Sequence, residues 1–163
     1  MQIFKSIIAL LFLVVAVHAV GAQTAPLSAN KNVVRKFYET YGTRHDVEGC
    51  LPLFDPSAFK VVMTGMPEAN LEGFKQLGID YLKAFPDLKM TIERLIAEGD
   101  QVAVLVRFTG THQGALMGIP PTGKKVDLLS TDIWTVRNGK LAGMQSVLDN
   151  MGLLQQLGVI PAK

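Results

Sequence analysis

The spacing of apolar positions changes once along this chain, near its middle, and the change divides helices from strands. Val33, Val34, Phe37, Tyr38 and Tyr41 recur at helical intervals. They predict a helix capped at Ser28 or Asn30 and ended by Gly42. A short second helix is expected from its cap Asp46 to Phe54, where Asp55-Pro56 stops it. Phe59 to Met63 is apolar and β-branched and predicts a short strand. Asn70 caps a third helix with the apolar face Leu71, Phe74, Leu77, Tyr81 and Leu82, broken at Phe85-Pro86-Asp87. From Leu88 the period falls to two, and Leu88, Met90 and Ile92 alternate with Lys89, Thr91 and Glu93. Strands are predicted over Leu88–Glu98, Gln101–Thr111, Val126–Val136 and Leu141–Leu148, with turns at Gly99-Asp100 and Arg137-Asn138-Gly139. Asp149-Asn150 then opens a terminal helix containing Leu153, Leu154 and Leu157. Helices first and strands second predict an α+β fold, with N-terminal helices packed on a strongly curved antiparallel sheet.

The N-terminus follows a different pattern. Met1 to Lys5 carries one positive charge, Ile7 to Val17 is wholly apolar, and Val20-Gly21-Ala22 is small. These are the three parts of a signal peptide over residues 1–22, cleaved after Ala22 or Ala19. The apolar run is shorter than the roughly 20 residues a membrane span needs, so no stable membrane insertion is expected after cleavage. The expected localisation is secreted or periplasmic. Residues 23–29 read as a linker and 30–163 as one domain. Loss of Lys5 lowers the formal charge from +2 to +1, and no basic face suggests nucleic acid. Cys50 is the only cysteine, which excludes an intramolecular disulfide and reads as a small buried hydrophobe.

The second half carries sharper strings. Gly110-Thr111-His112-Gln113-Gly114, Met117-Gly118-Ile119-Pro120-Pro121-Thr122-Gly123 and the tail Gly152-Leu153-Leu154-Gln155-Gln156-Leu157-Gly158 stand in order. With Ala84-Phe85-Pro86-Asp87-Leu88 and Ile96-Ala97-Glu98-Gly99-Asp100, they resemble the SnoaL-like polyketide cyclase (ester cyclase) family over about Val33 to Gly158. The resemblance implies a cone-shaped α+β barrel of the nuclear transport factor two-like type around one deep apolar pocket. It also implies a homodimer, no cofactor, and a last-strand carboxylate that moves a proton on a carbon acid. That carboxylate position falls on Ser146, and the partner position on the preceding strand falls on Asp132. The usual Glu-His-Trp run is replaced by Gly143-Met144-Gln145, and Val61, Val62 and Met63 stand where a histidine often follows the first strand.

The hairpin decides whether Asp132 and Ser146 share a face. A two-residue turn at Asn138-Gly139 places them on opposite faces. A three-residue loop, Arg137-Asn138-Gly139 with Gly139 in a bulge, sets Ser130 opposite Ser146 and Asp132 opposite Met144, with Trp134 on the same side. The second register is expected. Buried there, Asp132 is the candidate general base, or a structural carboxylate bonded to backbone or to Ser130. Ser146 is a hydrogen-bond partner rather than a base. His112 polarises a carbonyl at the pocket mouth or braces its loop. Asp149 is a helix cap. Tyr38, Tyr41, Met63, Tyr81, Phe108, Trp134, Met144 and Leu148 are the candidate pocket walls, or plain core. His45 and His112 have no matching carboxylate spacing, so no metal site is expected. Three readings stay open: cofactor-free acid/base cyclisation or isomerisation of a small carbonyl compound, non-catalytic binding of a small hydrophobic molecule, and a structural dimer that associates through its sheet with no ligand.

Overall fold

The computed structural model describes residues 26–161. The expected signal peptide and residues 23–25 of the expected linker lie outside the described residues. Helix α1 occupies 26–42 and is already helical at Pro26, so Ser28 and Asn30 are inside it rather than caps. Asn30 instead donates to the Gly99 carbonyl, 3.2 Å away. Its buried side, Val34, Phe37 and Tyr38, is the one the periodicity gives. Helix α2 (Val47–Cys50) is capped by Asp46, which accepts from the Gly49 amide, and tightens into a 3-10 turn over Leu51–Leu53. Helix α3 (Leu71–Ala84) is capped by Asn70 and stopped before Pro86. Helix α4 (Asn150–Leu157) is capped by Asp149 and closed by Gly158 in the left-handed conformation.

The strands are β1 (Lys60–Met63), β2 (Ala69–Asn70), β3 (Lys89–Glu98), β4 (Gln101–Thr111), β5 (Lys125–Arg137) and β6 (Lys140–Leu148). They form one open sheet in the order β2-β1-β6-β5-β4-β3. The fold class is the expected α+β, with one correction. β1 runs parallel to β6, Val61 beside Met144 and Met63 beside Ser146, so the sheet is mixed rather than antiparallel throughout. The chain between them is long enough to cross over, which a parallel neighbour requires.

The β5–β6 hairpin corrects the expected register. Asn138 (φ 50°) and Gly139 (φ 71°) are both left-handed, the pair a two-residue I′ turn requires. Such a turn alone would put Asp132 and Ser146 on opposite faces. The pairing shifts between Thr135 and Val136, where Ala142 enters as an extra residue between Leu141 and Gly143. Leu141 and Ala142 are consequently both buried. Beyond the bulge Asp132 lies opposite Ser146, Trp134 opposite Met144, and Ser130 opposite Leu148. Beyond the bulge the expected register was wrong by two residues, which leaves every side chain there on the face expected for it.

Two groups of buried side chains fill the space between sheet and helices. One gathers Phe37, Phe54, Phe59 and Trp134 with the valines of β4, and the other gathers Phe85, Phe108, Leu128, Leu153 and Leu157. Tyr41 and Met90 pack against both.

Candidate functional site

The inward positions of β5 read Val126, Leu128, Ser130, Asp132, Trp134 and Val136. Two polar side chains therefore interrupt a core face, and a buried carboxylate is tolerated only with partners. Asp132 finds them on both flanks. The Tyr38 hydroxyl of α1 donates to Oδ2 at 2.5 Å, and Ser146 Oγ of β6 donates to Oδ1 at 2.6 Å. Tyr38 is itself held, because the Trp134 indole N–H donates to its oxygen at 3.0 Å. The result is one line of donors, Trp134 to Tyr38 to Asp132, met from the other side by Ser146. Each bond in such a line polarises the next, and a dry setting strengthens them all.

A cavity of about 110 Å³ opens onto this line. Its polar wall is Tyr38, Asp132, Ser130 and Ser146; Tyr41, Met63, Tyr81, Phe108, Met144 and Leu148 also line it. Trp134, expected as a wall, does not line the cavity; it is fully buried behind it, bonded to Tyr38 and packed on the lining ring of Phe37 at a centroid distance of 4.7 Å. His112 is off the wall altogether. It is buried against Phe85, with ring centroids 5.3 Å apart, and its Nδ1 accepts from the Thr122 amide at 3.3 Å. Its Nε2 has no partner among the described residues, and burial lowers its pKa. His112 thus ties together the two ends of its loop.

The remaining walls come from residues read in the sequence only as helical core. Phe37, Phe54 and Phe74 face the cavity, as does the thiol of Cys50, which burial pushes up to about 12. The periodicity of α1 and α3 marks Phe37 and Phe74 as inward-facing. No local signal says that the inward side is hollow. Lys75 reaches the rim, paired with Glu48 at 2.7 Å.

Electrostatics set the state of Asp132. Burial raises its pKa, and the donors Ser146 and Tyr38 act in the opposite sense without cancelling that rise. Burial and the neighbouring carboxylate push the Tyr38 hydroxyl well above its ordinary value, so it stays a donor. Among the described residues no group of three or more His, Cys, Asp or Glu could hold a metal ion. None of their helices is long and apolar enough to cross a membrane.

The family model for SnoaL-like polyketide cyclases matches residues 32–157. The chain belongs to that family. Among solved structures, AclR of Streptomyces galilaeus, a proposed hydroxylase, is 28% identical, with 84% of this chain and 85% of that chain covered and a TM-score of 0.76. A proposed polyketide cyclase from Acidithiobacillus ferrooxidans is 26% identical, covering 80% and 95% at a TM-score of 0.71. A proposed SnoaL-like polyketide cyclase from Jannaschia sp. CCS1, at 23% identity, covers 82% and 94% at a TM-score of 0.75 and shares the fold. No curated protein matches the sequence. A proposed hydroxylase and a proposed cyclase stand at similar distances from this SnoaL-like chain. The choice of reaction therefore rests on its own cavity.

Proposed function

We propose that this SnoaL-like protein is a cofactor-independent acid/base enzyme that cyclises or isomerises a small apolar carbonyl compound. One observation carries the reading: the wall of a largely apolar cavity holds a buried carboxylate whose pKa is raised. A carbon beside a carbonyl is a weak acid, and a desolvated carboxylate is a stronger base than a solvated one. In this reading Asp132 takes the proton from carbon and returns it to another atom of the same molecule, so no external reactant is consumed. Tyr38 and Ser146 hold the carboxylate in one orientation through short hydrogen bonds. His112, away from the wall, takes no part.

The test is solvent-deuterium exchange into simple ketones, followed by NMR. Exchange is expected with the native chain and not with Asp132→Asn, while saturable ketone binding survives in the variant. Equal exchange rates in the two proteins would sink the reading. A second reading, a non-catalytic carrier for a small hydrophobic ligand, has one observation in its favour: both oxygens of Asp132 already accept hydrogen bonds from the protein. It expects a co-purifying apolar molecule that exchanges no protons. Export is part of the proposal, supported by the charged, apolar and small segments of Met1 to Ala22. So is a homodimer, supported by the family resemblance. N-terminal sequencing of the extracytoplasmic protein and sedimentation at micromolar concentration test these two.

A further inference from the structure

The space beside Asp132 does not stop at Ser146. A second cavity, of about 190 Å³, lies against the first, and four side chains line both: Met63, Tyr81, Ser146 and Leu148. Two spaces that share four wall residues are adjacent. Of the four shared residues Ser146 is by far the smallest, so it is the least bulky part of the wall between the two spaces. Its hydroxyl is turned to Asp132 by their 2.6 Å bond.

The two chambers are built differently. Rings of Phe37, Tyr41, Phe54, Phe74 and Phe108 face the first. Among the described residues the second has no aromatic wall apart from the shared Tyr81; it is lined by Met66, Leu116, Met117, Ile119 and Leu154, with Thr64 and Asn150 as its polar members. Flat, stiff rings suit a compact or planar group. Methionine and leucine adapt to a flexible chain of varying shape. Among the described residues the only carboxylate lining either chamber is Asp132, in the first, so on the acid/base reading the carbon that gives up its proton, and the carbonyl beside it, belong there. The second chamber has Met117, which is 60% exposed, among its walls. Its outer wall is a tight hairpin in which Leu116 and Ile119 exchange backbone hydrogen bonds at 3.0 and 2.8 Å.

We propose that the ligand has two parts: a compact, ring-like head bearing a carbonyl beside Asp132, and an unbranched aliphatic chain that passes Ser146 into the methionine- and leucine-lined chamber. The head rests on the function proposed above; the chain and its path are new. The test is a series of phenyl alkyl ketones (acetophenone, butyrophenone, hexanophenone and octanophenone) binding to the full chain, read by quenching of its single tryptophan, Trp134. Affinity is expected to tighten by up to about fourfold per added methylene, as burial of a CH₂ gives, and to level off once the second chamber is full. Leu154→Phe, which lines the second chamber and not the first, is expected to flatten the series while leaving acetophenone binding within about twofold; circular dichroism checks its fold. Affinity independent of chain length, the full length dependence retained in folded Leu154→Phe, or no saturable binding by any member would each overturn the inference. Deuterium exchange into acetophenone reports separately on the head. Exchange without length dependence removes only this inference, and length dependence without exchange removes only the acid/base reading.

Discussion

Asp132 is held between opposing influences, and substitution can separate them. Burial favours its neutral form, while Ser146 and Tyr38 favour the charged one, with burial the largest. A base works only when deprotonated, so exchange should rise with pH through a midpoint above the ordinary carboxylate range of about 3.9. Ser146→Ala or Tyr38→Phe removes a donor to the charged form and should move that midpoint further up, which a pH–rate profile would show. A midpoint that falls or stays put would mean that the bond does not stabilise the charge. Stability gives an independent check. The raised pKa means that the folded chain binds this proton more tightly than the unfolded chain. This contribution is therefore lost as pH rises from about 3.9 through the folded value. Asp132→Asn cannot lose it, so its unfolding free energy relative to the native chain should improve between pH 4 and pH 7 in urea titrations. Asp132 is legible in the sequence because the alternation of β5 puts a carboxylate among core positions. Tyr38 is legible as an inward-facing wall but not as the partner of Asp132, because 94 residues separate them and no local rule brings α1 onto that point of the sheet.

The hairpin between β5 and β6 is the element that decides whether Ser146 meets Asp132 at all. Its turn and its bulge each shift the pairing, and sequence pattern constrains their combined effect more tightly than either part. Asn138-Gly139 announces a tight turn, whereas nothing local marks Ala142 as the extra residue. The reading could therefore reach the right face by the wrong register. Gly139 offers a clean test: a Cβ there would meet nothing within 4 Å, so Gly139→Ala is opposed only by its φ of 71°. It should lower stability by about 1–2 kcal/mol, the left-handed penalty, in urea unfolding. A neutral result would mean that the turn relaxes to another type. The cap of α4 is a second local test. Asp149 accepts from the Gly152 amide at 2.8 Å, and Asp149→Ala should lower stability by about 1 kcal/mol. The antiparallel strands were readable to within a residue or two, since alternation and turns are local. The parallel pairing of Lys60–Met63 with Gly143–Ser146 was not, because it joins distant segments through a crossover.

At the scale of the whole molecule, the helices are a roof over a sheet whose inner face is partly hollow, and Cys50 reports whether that roof lifts. The thiol is buried in α2 and lines the cavity, and burial pushes its pKa up to about 12. At pH 8 the folded protein then holds very little thiolate, and the thiolate is the reactive form. Labelling by Ellman's reagent should therefore be far slower than for an unfolded-chain thiol and should pass mainly through conformations in which α2 has left the cavity. Such openings also destroy the cavity, so a ligand bound there must suppress them. At a ketone concentration ten times its dissociation constant, the open population should fall about elevenfold, and labelling with it. If saturating ketone left the labelling rate unchanged, either the reagent reaches Cys50 through the closed roof or the ketone binds elsewhere. Repeating the measurement in low urea separates the two, since roof opening exposes surface and accelerates labelling with denaturant, whereas direct entry does not.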